Sequence, residues 1–286
     1  MIATALLLAV VLQNPQAAEQ GRDVRLIQYP VTPWVTAERS SLAESQALSA
    51  LLQRWMLQPD GSSEAFSEDE CLFGVTRADR IALAAVPQAH KRMQQLIAVQ
   101  EKEAQVYTLC LTVYEADPKG LDAKLSDLEQ LARLRKQSDL VLMAPKLRLS
   151  AAQRASLSTG EEHLFVTDVQ GDGDKLKPRH RLVWEGLRIE ASVLRLDDTR
   201  YGVELEAEFA ELQRPVRTTK IEVLSSGQSA IEISLPEVTS ERSRVAARLK
   251  HRDQIAWNLG SRTTPKGERV RIVGLELLVE AAEQKR

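Results

Sequence analysis

One segment of the chain has residue types and spacing that suit a metal ion: Asp168-Val-Gln-Gly-Asp-Gly-Asp174. Carboxylates at Asp168, Asp172 and Asp174, with glycines between them, set oxygen ligands at the alternating positions that a hard cation such as Ca²⁺ takes. The segment lacks the downstream bidentate Glu of an EF-hand loop, and Lys175 and Lys177 adjoin it, so a polar hairpin tip is the favoured reading. His90, His163, His180 and His251 share no ligand spacing with one another or with a cysteine, which argues against zinc. Gly171-Asp-Gly173 has neither the Lys-Ser/Thr nor the following apolar helix of a phosphate loop. No nucleophile-elbow pattern is present. The expectation is a protein without catalytic residues, bound metal or cofactor. Two cysteines, Cys71 and Cys110, both fall in predicted strands. In an exported chain they pair if those strands bring them within disulfide reach, and otherwise stay as two buried thiols; the sequence leaves both open.

What must be positioned is therefore a surface. The 286 residues carry 38 Lys and Arg against 40 Asp and Glu, a formal net charge of -2, so no global field points to nucleic acid or to an anionic membrane. The basic residues from Lys175 to Arg181 are local and lack stacking aromatics, so nucleic acid is not an expected partner. Aromatics make up 4% of the chain, low for a barrel with aromatic girdles at both membrane interfaces. The start, Met1 to Leu12, is an apolar run shorter than the roughly 20 residues of a spanning helix. Gln13-Asn-Pro-Gln-Ala-Ala18 follows with small residues, so residues 1–18 read as a secretory signal peptide, and export is expected. No Lys or Arg precedes the apolar run, and the alternative is an apolar N-terminal helix.

Residues 24–104 read as a small α/β module. Val24 to Tyr29 is strand-like and is ended by Pro30 and Pro33. Ser41 to Met56 is an amphipathic helix with Leu42, Leu48, Leu51, Leu52 and Trp55 at near-helical spacing. Cys71 to Val75 and Arg80 to Ala84 are short strands, and a second helix begins at Pro87, carrying Met93, Leu96 and Ile97 on one side. The order is βαββα. Residues 105–286 read as a β-rich core. Its first strand is Gln105 to Glu115; a charged helix, Leu121 to Gln137, has Leu125, Leu128, Leu131 and Leu134 in a stripe; strands follow almost to the end. Val203-Glu-Leu-Glu-Ala-Glu-Phe209 alternates strictly, which predicts a sheet with one wet face, and it pairs as a hairpin with Leu187 to Leu196. Two further strand-turn-strand segments, Val141 to Gly160 and Arg244 to Leu259, read as hairpins too. The fold class is α+β: a βαββα module followed by a core of antiparallel hairpins.

The segment Val141-Leu-Met-Ala-Pro-Lys-Leu-Arg-Leu-Ser-Ala-Ala-Gln-Arg-Ala-Ser-Leu-Ser-Thr-Gly160 resembles the hairpin that opens the core of the secretins, the ring-forming channels of bacterial type II and III secretion and of type IV pili. Ala144-Pro145-Lys146 and Gly160-Glu161-Glu162 stand where that family has its Pro-basic pair and its Gly-Glu. Leu83 to Ile97 resembles the family's strand, polar-Pro link and helix with an early His. Trp184 to Glu190, Pro236 to Leu249, Asp253 to Gly260 and Leu275 to Val279 resemble later core strands, in order. The resemblance implies a non-catalytic, secretin-like component of a secretion or pilus system. It would form a homo-oligomeric ring or channel in the periplasm or outer membrane of a Gram-negative-type bacterium, with itself and other secretion-system proteins as partners. It implies Ala144, Pro145, Lys146 and Gly160 in an inward gate hairpin. It also implies that wall strands carry Val203, Leu205, Phe209, Val245, Leu249, Ile255 and Trp257. The match is incomplete. Where secretins have an apolar membrane lip between the last two strands, this chain has the short polar run Ser261 to Arg269, and one module precedes the core. The alternative implied is a soluble periplasmic scaffold that kept the fold without a pore.

Overall fold

The computed structural model describes residues 24–31, 34, 41–57, 66, 71–102, 105–118, 127–136, 141–171, 177–221, 231–264 and 267–281. The expected signal peptide, residues 1–18, lies outside them. The chain is α+β and follows the predicted order: β1 (Arg25–Pro30), α1 (Leu42–Leu57), β2 (Cys71–Arg77), β3 (Arg80–Ala85) and α2 (Pro87–Lys102). The three strands form an antiparallel sheet in the order β1-β3-β2. A capping box starts α1: the Glu44 N–H donates to Ser41 Oγ and the Ser41 N–H to Glu44 Oε2, each at 3.2 Å. Its buried face is Leu48, Leu51, Leu52, Trp55 and Met56, packed with Met93 and Leu96 of α2 over Ile81 and Leu83. Leu42, expected in that stripe, sits in the first turn beyond the sheet and is exposed.

The rest is two stacked antiparallel sheets. One contains β4 (Gln105–Ala116), β5 (Val141–Met143), β6 (Lys146–Ser150), β13 (Gln254–Thr264) and β14 (Gly267–Ala281), in the order β13-β14-β4 with β5 and β6 both on the far side of β4. The other contains β7 (Arg154–Gln170), β8 (Lys177–Arg195), β9 (Tyr201–Leu212) and β12 (Val238–Leu249), ordered β12-β9-β8-β7. A short hairpin of β10 (Arg217–Ile221) and β11 (Ile231–Leu235) forms its own ladder, with β11 lying alongside β7. The period of two sends alternate residues inward. Tyr107, Leu109, Leu111 and Val113 of β4 and Val273, Leu275 and Leu277 of β14 meet Val203, Leu205, Ala207 and Phe209 of β9 in one core. The last helix, α3 (Asp127–Arg135), lies on the outer face of the first sheet, where Leu131 and Leu134 pack on Tyr114 and Ile272.

The structure corrects two predicted hairpins. β6 and β7 do not pair with each other, and neither do β12 and β13; each pair is a corner that carries the chain from one sheet to the other. The corners share a device. Ala152 and Arg252 sit at φ 55° and 68°, in the left-handed region, and their N–H groups donate to the Val193 and Leu277 carbonyls of β8 and β14. β8 and β14 are the strands that β7 and β13 go on to pair with, so each bond ties the turn to the sheet the chain is entering rather than to the strand it leaves. The polar run Ser261 to Arg269 is likewise mostly strand, formed by the far ends of β13 and β14.

Candidate interaction surface

The corners fix where the sandwich is open. β12 and β13 are the outer strands of the two sheets on one side, and β7 with β5 and β6 are the outer strands on the other. Among the described residues these outer strands have no further ladder partner, although β11 lies alongside β7; an edge of this kind pairs with another chain unless it is covered. Both outward faces carry charged residues, beside the apolar patch of Tyr114 and Ile272 that α3 covers. On the four-stranded sheet, Arg242 and Arg244 of β12 stand beside Glu206 and Glu208 of β9, followed by Glu190 of β8. On the other sheet, Lys146, Arg148 and Glu280 are exposed and Glu276 is half-buried.

At one end the inward columns turn from apolar to charged. On β9 the residue after Phe209 in the same column is Glu211; on β4 it is Glu115 after Val113, on β14 Arg271 beyond Val273, and on β12 Glu241. β13 contributes Arg262 because a bulge between Asn258 and Gly260 flips its parity. Arg271, 2% exposed, donates from Nη1 to Glu241 Oε2 at 2.7 Å and from Nη2 to Glu211, and its Nε lies 3.9 Å from Glu115. Its guanidinium stacks 4.3 Å from the Phe209 ring centroid. Arg262 donates to Glu115 at 2.9 Å and to Glu211. A side chain at Gly260 would strike the Glu241 carboxylate, so glycine there makes room for the network. Five strands from both sheets are thereby clamped by charge.

Beyond this clamp β7 and β8 continue as a two-stranded ribbon. Gly160 and Gly186 face each other where it leaves the sheet, and a Cβ at either would collide with the opposite backbone. Glu185 anchors the ribbon. Its Oε2 accepts from Arg214 Nη2 at 2.7 Å and from His163 Nε2 at 3.1 Å, and its Oε1 from Arg214 Nη1 at 2.9 Å and the Leu212 N–H at 3.2 Å. The Arg214 hydrogen bonds hold its carboxyl below the usual carboxylate range, against the opposing effect of burial. Further out, Leu164 and Leu182 lie opposite each other, 64% and 57% exposed.

The small sheet and its helices seat on the other end. Trp55 lies flat on β9 at Gly202, where a Cβ would fall 2.5 Å from the indole. Gln100 Nε2 donates to the Arg195 carbonyl at 2.6 Å, and Arg54 pairs with Glu204. His90 is buried in the first turn of α2, between the Tyr29 hydroxyl at 2.9 Å and the Arg25 carbonyl at 2.8 Å from its Nε2. Both of its nitrogens therefore serve packing within the small sheet.

The residues singled out in the sequence separate cleanly. Val203, Leu205, Phe209 and Leu249 are buried between the sheets, with Val245, Ile255 and Trp257 packed against them, so their apolar sides face protein. Ala144 and Pro145 link β5 to β6, the Pro145 carbonyl accepting from the Leu111 N–H at 3.0 Å; Lys146 begins β6 opposite Cys110. Gly160 lies in the other sheet, so these four do not share a hairpin. No disulfide joins the cysteines: Cys71 is buried in β2 of the small sheet and Cys110 half-buried in β4. Asp168 is exposed and accepts from the Val169 N–H, while Asp172 and Asp174 lie outside the described residues; among those described, no group of three His, Cys, Asp or Glu is arranged to hold a metal. The Arg271 clamp escaped sequence reading. Its signal was present as parity, because Glu211 continues the inward column of Val203 to Phe209.

No protein-family model matches the chain, and no curated protein matches it. Among solved structures it is similar to the secretin-domain β-barrel of InvG from the Salmonella SPI-1 injectisome, at 10% identity over 93% of this chain and 90% of that one, with a TM-score of 0.31. It is similar to the Vibrio cholerae competence-pilus secretin PilQ at 9% identity, covering 95% and 82% of the two chains with a TM-score of 0.33. The secretin GspD in complex with the pilotin AspS, from enterotoxigenic Escherichia coli, gives 10% identity, 98% and 79% coverage and a TM-score of 0.31.

Proposed function

We propose that this chain is a non-catalytic, exported building block that assembles with copies of itself into a ring, in the manner its secretin-like motifs imply. The observation that carries the reading is the pair of open edges on opposite sides of one sandwich. β12 and β13 of one copy meet β7 and β6 of the next, a head-to-tail contact that closes into a ring when the rotation per copy allows. Closure pairs the outer strands of both sandwich sheets at once. The wall so formed is double, with Val203, Leu205 and Phe209 between its layers and charged residues on the parts of both outward faces that α1 and α3 leave uncovered. Those charged faces favour a ring standing in the periplasm over a wall spanning lipid. The ribbon end, with Leu164 and Leu182 opposite each other, presents the most exposed apolar pair among the described residues and is suited to touching the outer membrane.

Cysteine scanning tests the contact. With Cys71 and Cys110 replaced by serine, single cysteines along β12 are combined in turn with single cysteines along β7. A ladder of disulfide-linked multimers confined to one register supports the ring; a monomer by light scattering, with no crosslink at any register, refutes it. Detergent fractionation then separates the two forms of the reading. A pore remains with outer membranes, and a periplasmic scaffold is released without detergent.

A further inference from the structure

The helix on the first sheet lies off its centre. α3 runs along β13, the outer strand, and turns Leu131 and Leu134 back toward Tyr114 of β4 and Ile272 of β14. Gly274 of β14 fits beneath it, since a Cβ there would fall 2.5 Å from Leu131 Cδ2. Arg135 pairs with Glu276 at 3.3 Å, so apolar and charged contacts both hold the helix in this place. A helix is roughly 10–12 Å across with its side chains, whereas neighbouring strands lie about 4.8 Å apart. Over an edge strand, α3 therefore overhangs the sheet by about one strand's width. No described strand of its own copy lies under that overhang.

The opposite side of the same sheet has the converse feature. β5 is the outer strand at the height of α3, and its register against β4 slips between Val113↔Met143 and Tyr114↔Val141. The slip is a bulge in which Val141 and Leu142 both stand opposite Tyr114. Met143 packs against the core between the sheets, whereas Val141 and Leu142 are 37% and 42% exposed. This pair lies three strand positions, about 14 Å, from the β13 that α3 follows. Strand direction alternates from β13 through β14 and β4 to β5, so β13 of one copy and β5 of the next meet antiparallel. The row Asn258, Ile272, Tyr114, Val141 runs straight across the sheet. Continued into the next copy, it sets that copy's Val141 beside Asn258, beneath α3.

We infer that α3 is a cap across the joint between copies, covering Val141 and Leu142 of the neighbouring copy. The inference rests on the ring reading and adds to it the residues that close the joint on this face. It accounts together for a helix placed at one edge and for an apolar pair left open at the other. The occupant is a second copy, because the sheet's own far edge supplies that pair in line with β13 and with the matching strand direction.

Two single-cysteine forms test it, each with Cys71 and Cys110 replaced by serine. One carries Ala132→Cys at an exposed position of α3, the other Leu142→Cys on β5. Mixed before assembly and treated with a short bismaleimide, the two forms should join. Arg148→Cys on β6, opposite Thr108 and about 20 Å further along β4, should join far less. Leu142→Ser should weaken self-association about tenfold, the scale of burying half a leucine side chain. It should leave the urea midpoint of the dilute single copy unchanged, because the side chain is open there. Crosslinks between β12 and β7 without any between α3 and β5, equal joining by Arg148→Cys, or self-association unchanged by Leu142→Ser would each overturn the cap and leave the ring standing. Absence of crosslinks at both places, in a chain that stays monomeric, would remove the ring and the cap with it.

Discussion

Arg271→Met is the sharpest perturbation of this fold. The wild-type guanidinium is 2% exposed and faces Glu211, Glu241 and Glu115, whose side chains are themselves only 12–21% exposed. Methionine fills much the same space but supplies no charge. Arg262 still reaches Glu115 and Glu211, so Glu241 is the carboxylate left with neither an ion pair nor much access to water. Breaking a buried ion pair by removing one partner costs about 3–5 kcal/mol, and the loss of the Phe209 stack adds about 0.5–1 kcal/mol. Urea unfolding at neutral pH should therefore show a deficit of about 4 kcal/mol, within the 5–15 kcal/mol of an ordinary domain. Adding Glu241→Gln should restore part of the loss, with a coupling of about 1–3 kcal/mol in the double-mutant cycle. A deficit under about 1 kcal/mol, or no coupling in the cycle, would mean that the clamp contributes nothing.

Gly202→Ala forces a methyl into the face of Trp55 and should cost about 1–3 kcal/mol, with a change in indole fluorescence as the small sheet lifts off β9. Because the folded-state carboxyl of Glu185 is held low, chiefly by Arg214, its contribution is complete above its ordinary value of 4.5 and is lost as the pH falls through the lower folded value. Glu185→Gln should flatten that acid limb in a pH series of unfolding curves, by a small amount since Arg214 is 55% exposed. Arg252→Gly relieves a left-handed residue at a corner and should raise stability by up to about 1 kcal/mol, read as a higher urea midpoint.

The local grammar of the chain was legible. Ser41 and Glu44 announce the start of α1, and the alternation of Val203 to Phe209 fixed both the face and the hairpin with β8. The corners were not legible for a physical reason. A polar turn between two alternating strands looks the same whether the strands pair or part, and what separates them is the pairing of β7 with β8 and of β13 with β14, partners that the turn itself does not contain. Neither Ala152 nor Arg252 is the glycine or asparagine that usually marks a left-handed residue. The polar run after Gly260 suggested a loop because its inward residue, Arg262, is charged, and because the bulge that turns Arg262 inward is set by pairing with β14. Parity carried past the last apolar residue of each strand would have exposed the clamp. The separation of Cys71 from Cys110 depends on which sheet each strand joins, and that information is nonlocal.

In the proposed ring the two corners would impose a rule on growth. Since each flank of the body ends in strands from both layers, a copy that docked on one layer would bring its second layer into register at the same moment. A half-joined neighbour would leave a whole ladder of amides unanswered, so partial arcs would be penalised twice and a finished circle favoured over its fragments.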